Sequence, residues 1–199
     1  MALRLQTDAT TEIVTVAEIK AHLNLSTVGT IEDTLLTAYS KAARRYAENY
    51  TKRSFIQQVW KLTLDAFPSS TDAVYIPRSP ISSTAGDVTI TYLDETSGDS
   101  TTLSATGYTV DSESIPARIY PSYDNAWPTP RSVRNAVTIT YTAGVSYSDV
   151  AEDVKSWVKL RVGSLYENRE AMSGMETYNL PRDFTDGLLD PYVVIEVAP

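Results

Sequence analysis

The sequence predicts an α+β fold: a small α-helical bundle drawn from both chain ends, carrying an inserted antiparallel β-sheet lobe. Three observations predict it. Apolar residues recur at helical spacing between positions 16 and 51, the period changes to two from Phe55 onward, and the helical period returns after Gly144. Helices separated in the chain by a run of strands form one body when they pack together, with the strands looped out between them.

The first helix is signalled by Thr15 followed three residues later by Glu18, a capping box, with Val16, Ile19, Leu23 and Leu25 as a short apolar face. A Ser-Thr-Val-Gly-Thr connector follows. Thr30 is placed to cap a second helix over 31–51, where Leu35, Leu36, Tyr39, Ala42, Ala43, Tyr46 and Tyr50 recur at helical spacing. In QVWKLTLDAF, Trp60, Leu62 and Leu64 alternate against Val59, Lys61, Thr63 and Asp65, which predicts a strand. Further strands are predicted at 73–76, 87–93, 100–103, 108–111, 117–120 and 136–142. Between two of them DETSGDS supplies hairpin-turn chemistry through Gly98 and its Asx and Ser residues.

The pentapeptide VTITY occurs twice, at 88–92 and 137–141, but the flanks LDETSGDS and TAGVSYSD disagree. A duplicated domain would share its flanks. The shared part is an alternation with Val, Ile and Tyr on one face and threonines on the other, so two strands in similar environments explain it. Between them, PSYDNAWPTPRSVR holds three prolines and is expected to be an ordered loop that exposes Trp127 and Tyr123 as a contact surface. The third helix is predicted over 149–170, with Val150, Val154, Trp157, Val158, Val162, Leu165 and Tyr166 on one face. Ser148 or Asp149 is its expected cap, and Glu152 and Asp153 sit where the helix dipole favours acids. The chain then ends in a tail whose apolar run from Tyr192 to Val197 requires a partner, in its own chain or another. The expected organisation is residues 1–54 as the N-terminal helical part, 55–146 as the β-lobe, 147–172 as the long helix completing the helical body, and 173–199 as the C-terminal tail.

Composition narrows the function. The chain has 199 residues and no cysteine, which excludes disulfides, zinc-thiolate sites and cysteine nucleophiles and suits a reducing compartment. No apolar run approaches the roughly 18 residues of a membrane span, and MALRLQTDATTEIV lacks the apolar core of an export signal, so a soluble, non-exported protein is expected. Seventeen basic against 25 acidic residues leave a net charge of −8, which argues against tight wrapping of nucleic acid. Thirteen tyrosines against three phenylalanines favour half-exposed sheets and interfaces.

Catalytic chemistry finds little footing. His22 is the sole histidine and reads as a helix-surface position. Asp94, Glu95 and Asp99 cluster in a hairpin turn where acids are ordinary, and eight scattered glycines form no phosphate cradle. Lys41, Arg44, Arg45, Lys52 and Arg53 form a basic cluster read as a solvated helix end, with an acidic partner or a DNA phosphate as the alternative. No catalytic residue, metal site or cofactor is expected.

Several segments in order resemble one family, the head-to-tail connector (adaptor, head-completion) proteins of long-tailed bacteriophages and gene transfer agents. They are VAEIKAHLNL with EDTLLTAYSKAARRYAENYTKRSF, then LTLDAFP, IPRSPISS and VTITYLDE, then the Trp127-Pro128 loop with AVTITYTAG, and last EDVKSWVKLRVGSLYENREAMSG with LPRDFTDGLLDPYVV. The resemblance implies a structural, non-enzymatic virion protein made in the host cytoplasm and located in the neck. There, about twelve copies would form a homo-oligomeric ring under the portal protein, contact stopper or tail-completion proteins, and pass genomic DNA through the channel without sequence-specific binding or a membrane. It also implies that the helices form the ring body and that a C-terminal segment reaches the portal. Tyr192, Val193, Val194, Ile195 and Val197 are therefore the first docking candidates, with Tyr123 and Trp127 in the loop as further interface residues. Two other classes fit the residues alone: a monomeric receptor- or carbohydrate-binding module using Tyr120, Tyr123 and Trp127, and an enzyme using Asp94, Glu95 and Asp99.

Overall fold

The computed structural model describes residues 1–25, 29–69, 71–82, 86–168 and 186–195. The chain divides into two compact units, the first built from Met1–Thr10 and Gln57–Val145, the second from Thr11–Ile56 and Ser146–Ile195.

Among the described residues, eight strands build the first unit. They are β1 (Ala2–Thr7), β2 (Gln58–Leu64), β3 (Val74–Ile76), β4 (Val88–Leu93), β5 (Ser100–Thr102), β6 (Tyr108–Asp111), β7 (Ala117–Pro121) and β8 (Val137–Ala143). They form a five-stranded sheet in the order β1-β2-β8-β4-β5 and a three-stranded sheet in the order β3-β7-β6, every pairing antiparallel. Two sheets therefore replace the single one expected. Strand β1 is an element that the periodicity reading leaves unassigned. Its register pairs Leu3 with Leu62 and Leu5 with Trp60, so the alternation in ALRLQT places its leucines on the core face. Six residues ahead of a strong capping box are too short a stretch for that alternation to stand out.

The two VTITY copies lie side by side. Strand β4 pairs with β8 so that Val88 faces Tyr141, Ile90 faces Ile139 and Tyr92 faces Val137. On the other face Thr89 meets Thr140 and Thr91 meets Thr138. Identical alternation lets each copy present its apolar residues to one core and its threonines outward, which is the requirement met twice. That core joins Leu62, Ile90, Ile139 and Tyr141 of the large sheet to Ile76, Ala117 and Ile119 of the small one, all fully buried. Tyr141 carries its hydroxyl into this core and donates to the Pro77 carbonyl at 2.8 Å; burial raises its ionisation well above the ordinary phenol value.

Among the described residues, three α-helices, α1 (Val16–His22), α2 (Asp33–Thr51) and α3 (Glu152–Glu167), build the second unit, with α2 packed along α3. The expected capping box at Thr15 and Glu18 is present. Helix α2 begins after a 3-10 turn at Thr30–Glu32, and Thr30 makes no cap. Helix α3 starts later than expected, behind a 3-10 turn at Tyr147–Asp149, with Ala151 as an N-cap that makes no side-chain bond. The expected end of that helix at residue 170 lies outside the described residues.

The buried face of α2 differs from the apolar stripe. Ser40, Arg44, Glu48 and Thr51 are buried beside Leu36, Ala43 and Ala47, whereas Ala42 is exposed and Tyr46 is half-exposed. Arg44 and Glu48 hold the inner face because they pair there, and the Thr51 hydroxyl donates back to the Ala47 carbonyl at 2.8 Å. Arg44 is 0% exposed, its Nε donating to Glu12 at 2.8 Å and its Nη1 to Glu48 at 3.1 Å, while the second Glu48 oxygen accepts the Phe55 N–H at 3.1 Å. Arg44 thus leaves the basic cluster expected to be solvated. A buried guanidinium is tolerated where carboxylates both neutralise it and accept its hydrogen bonds.

Candidate functional site

In the helical unit the candidate surface is the segment after the 3-10 turn Asp186–Leu188. Leu189 is fully buried and anchors it, and a second turn at Asp190–Tyr192, with Pro191 early in it, brings the chain back along the body. Tyr50 donates to Asp190 at 2.6 Å, the Val194 N–H donates to the Thr51 carbonyl at 2.9 Å, and the Tyr192 hydroxyl donates to both oxygens of Asp153 at 2.8 Å. The Tyr192 ring meets Phe55 edge-on at 5.7 Å, and the Arg53 guanidinium lies 5.6 Å from its centroid. Tyr192 and Val194 therefore find their partner in their own chain. Successive side chains of an extended segment point to opposite sides, so Val193 and Ile195 face outward, Ile195 at 79% exposure. Val197, the last of the expected docking residues, lies outside the described residues.

Helix α1 is set by electrostatics at its start. Burial raises the Glu18 carboxyl, but hydrogen bonds from Thr15 Oγ1, the Tyr147 hydroxyl and the Thr15 N–H, with Lys159 nearby, outweigh this and hold it at about 2. His22 is exposed at the other end of α1, as a surface position should be.

In the sheet unit the candidate surface is the 121–134 loop, and here Trp127 is a correction. It is 7% exposed, stacks on Phe67 at 4.8 Å with an interplanar angle of 2°, and donates from its indole N–H to the Asp72 carbonyl at 2.8 Å. A tryptophan among prolines reads as exposed in sequence. Here the indole is the plug that closes the end of the core, and prolines stiffen the loop that carries it. Tyr123, by contrast, is 93% exposed. The loop is also tied down at its far end, where Arg131 donates its N–H to Leu93 and Pro130 bridges to Asp94.

The acidic hairpin follows turn logic. Asp94 Oδ1 accepts the N–H groups of Thr96 and Ser97, both at 2.9 Å, and those bonds, Ser97 first, hold its carboxyl below the usual range. Gly98 has a φ of +76°, a backbone conformation that favours glycine, and a Cβ there would also push the end of the Arg131 side chain aside. Among the described residues no group of three His, Cys, Asp or Glu side chains is placed to hold a metal, and no helix is long and apolar enough to cross a membrane.

Sequence reasoning missed one surface entirely, the outward face of the three-stranded sheet. Tyr75, Arg118 and Asp111 form one cross-strand row on it, with Tyr120 two residues beyond Arg118 on the same side. The readable signal was the alternation in ARIYP, which puts Ala117 and Ile119 in the core and therefore Arg118 and Tyr120 outside.

The chain has outward residues beside buried anchors, Tyr123 on the loop and Ile195 on the C-terminal segment, and it shares its fold with solved structures. It overlays a protein in the neck of an empty gene transfer agent (GTA) particle, reconstructed with C6 symmetry, at a TM-score of 0.79 and 25% identity, covering 100% of this chain and 98% of that one. The same fold recurs in the virion of the native GTA particle, at 0.76 and 23% identity, and in the native neck reconstructed with C12 symmetry, at 0.71 and 22% identity. Both again cover 100% of this chain and 98% of the other. No curated protein matches the chain. The class is thus that of a structural protein of the virion neck. Residues 13–124 match the profile of the Phage gp6-like head-tail connector proteins, and the chain belongs to that family.

Proposed function

We propose that this connector works as a ring of about twelve copies between the portal and the tail, passing DNA through its centre and performing no catalysis. The observation that carries this reading is the full-length overlay on a neck protein at 25% identity, in particles whose necks are reconstructed with C6 and C12 symmetry. Physical chemistry supports the same reading. A net charge of −8 suits a channel that must let DNA slide, because a wall rich in phosphate-neutralising cations would hold it.

In this reading the helical unit forms the ring body, and the portal is contacted by the outward residues of the C-terminal segment, Val193 and Ile195, with Val197 beyond them. Tyr192 and Val194 hold that segment to the body through Asp153 and Thr51. Tyr123 is the loop residue available to a stopper or tail-completion protein. The aromatic-loop carbohydrate reader is the weaker reading, since Trp127, the ring that would stack a sugar, is buried against Phe67.

The test is a symmetry-resolved cryo-electron-microscopy reconstruction of the portal vertex. Twelve copies between portal and tail are expected, and a vertex without this chain would overturn the reading. Val193→Ser with Ile195→Ser is expected to lower occupancy of portal-bearing heads while leaving the melting temperature unchanged; full occupancy would remove these two residues from the dock.

A further inference from the structure

We propose that the outward face of the three-stranded sheet is a contact surface for a second copy of this chain, with Arg118, flanked by Tyr75 and Tyr120, receiving the acidic β4–β5 hairpin of the neighbouring copy through Glu95 and Asp99. This rests on the ring reading above.

The acceptor side is an arginine held between two tyrosines. Arg118 lies over the Tyr75 ring at 5.3 Å and reaches the Tyr120 hydroxyl from Nη1 at 3.4 Å, and Tyr75 is 50% exposed. Tyrosine and arginine are the residues that interface hot spots favour. Among the described residues the guanidinium forms no ion pair, and Asp111 attracts it without bonding to it. Asp111 stands opposite it in the register, but that side chain accepts the Glu113 N–H and both the N–H and hydroxyl of Ser114. Arg118 Nε is closed off from solvent without an acceptor, while the Nη edge that reaches the Tyr120 hydroxyl is the side a carboxylate from another copy can approach.

The donor side is the hairpin. Glu95 and Asp99 are exposed and form no ion pair among the described residues, while Asp94 is occupied in holding the turn. A carboxylate is the planar acceptor that a guanidinium takes in bidentate fashion. Within one copy the two features belong to different sheets of the same unit, the hairpin to the large sheet and the arginine to the outer face of the small one. They are different patches, so joining them copy to copy is heterologous, the kind of contact that forms a ring when its rotation closes.

The chain has no cysteine, which makes the contact directly testable. In necks assembled from a variant carrying Glu95→Cys and Arg118→Cys together, oxidation is expected to yield a covalent ladder of connector multimers, with neither single-cysteine variant doing so. Arg118→Glu is expected to lower the number of connectors per particle by at least about ten-fold, as like charges across an interface do, and adding Glu95→Arg with Asp99→Arg to restore it. Both side chains are at the surface, and an unchanged thermal melt would verify that the variants fold. If the wild type forms rings but the double-cysteine variant gives no ladder, or Arg118→Glu leaves occupancy unchanged, this contact is overturned and the ring reading stands. Wild-type chain that never forms a ring on portal-bearing heads would overturn the ring reading, and this contact with it.

Discussion

Ile90 and Ile139 face each other at the centre of the two paired VTITY strands, both wholly buried, where the five-stranded sheet meets the core of the lobe. Truncating Ile139 to alanine removes buried methylenes at a site walled by two sheets, where collapse is restricted. The expected cost is about 3 kcal/mol, within the range of buried isoleucine truncations. Urea unfolding checks it; a loss below about 1 kcal/mol would mean the strands can repack.

Arg44 is the second test, because its charge is buried between Glu12 and Glu48. Arg44→Ala leaves two carboxylates facing each other without their cation and is expected to cost about 3 to 5 kcal/mol. Replacing all three by alanine should recover a large part of that, since the penalty arises from uncompensated charge. A triple variant as unstable as the single one would show instead that packing around the side chain dominates.

Acid stability has a sign that Glu18 sets. Its carboxyl is lowered from 4.5 to about 2 in the folded chain, so its contribution is fully present above pH 4.5 and is lost as the pH falls toward 2. Solvent screening at this surface site leaves that contribution at about 1 kcal/mol. Tyr147→Phe deletes one of the donors holding Glu18 down. The variant should trail the wild type above pH 4.5 and converge with it near pH 2, as read from denaturant midpoints at each pH; a gap that widens in acid would contradict the assignment.

Trp127 and Tyr123 sit four residues apart in one loop and should behave oppositely. Trp127→Ala is expected to destabilise the sheet unit by about 3 to 5 kcal/mol through the cavity it leaves beside Phe67. Tyr123→Ala should change stability by less than about 0.5 kcal/mol. Fluorescence offers a parallel readout, with a blue-shifted Trp127 component that Tyr123→Ala leaves in place.

Tyr192→Phe keeps the ring against Phe55 but removes the hydroxyl that donates to Asp153. A loss of about 1.5 to 3 kcal/mol is expected for a hydrogen bond to a charged group. Hydrogen exchange at the Val194 amide should quicken in parallel, and an unchanged rate there would show that Leu189 and the Tyr50–Asp190 bond hold the segment without the Tyr192 hydroxyl.

Much of this molecule was legible in its residues. Period, capping and turn chemistry are local, so α+β order, the Thr15–Glu18 box, the hairpin at Gly98 and the alternation of the two VTITY strands followed from spacing alone, and the ordered segments sufficed for the family resemblance. The tertiary structure alone decided what each face meets. Periodicity says that a face is buried but is silent on its partner, and the decisive partners are far apart in sequence: Arg44 reaches Glu12 across 32 positions, Tyr192 reaches Asp153 across 39, and Trp127 reaches Asp72 across 55. Polar residues are hardest to place, since nothing local distinguishes Arg44, buried between Glu12 and Glu48, from Arg118 on an outer face beside Tyr75 and Tyr120.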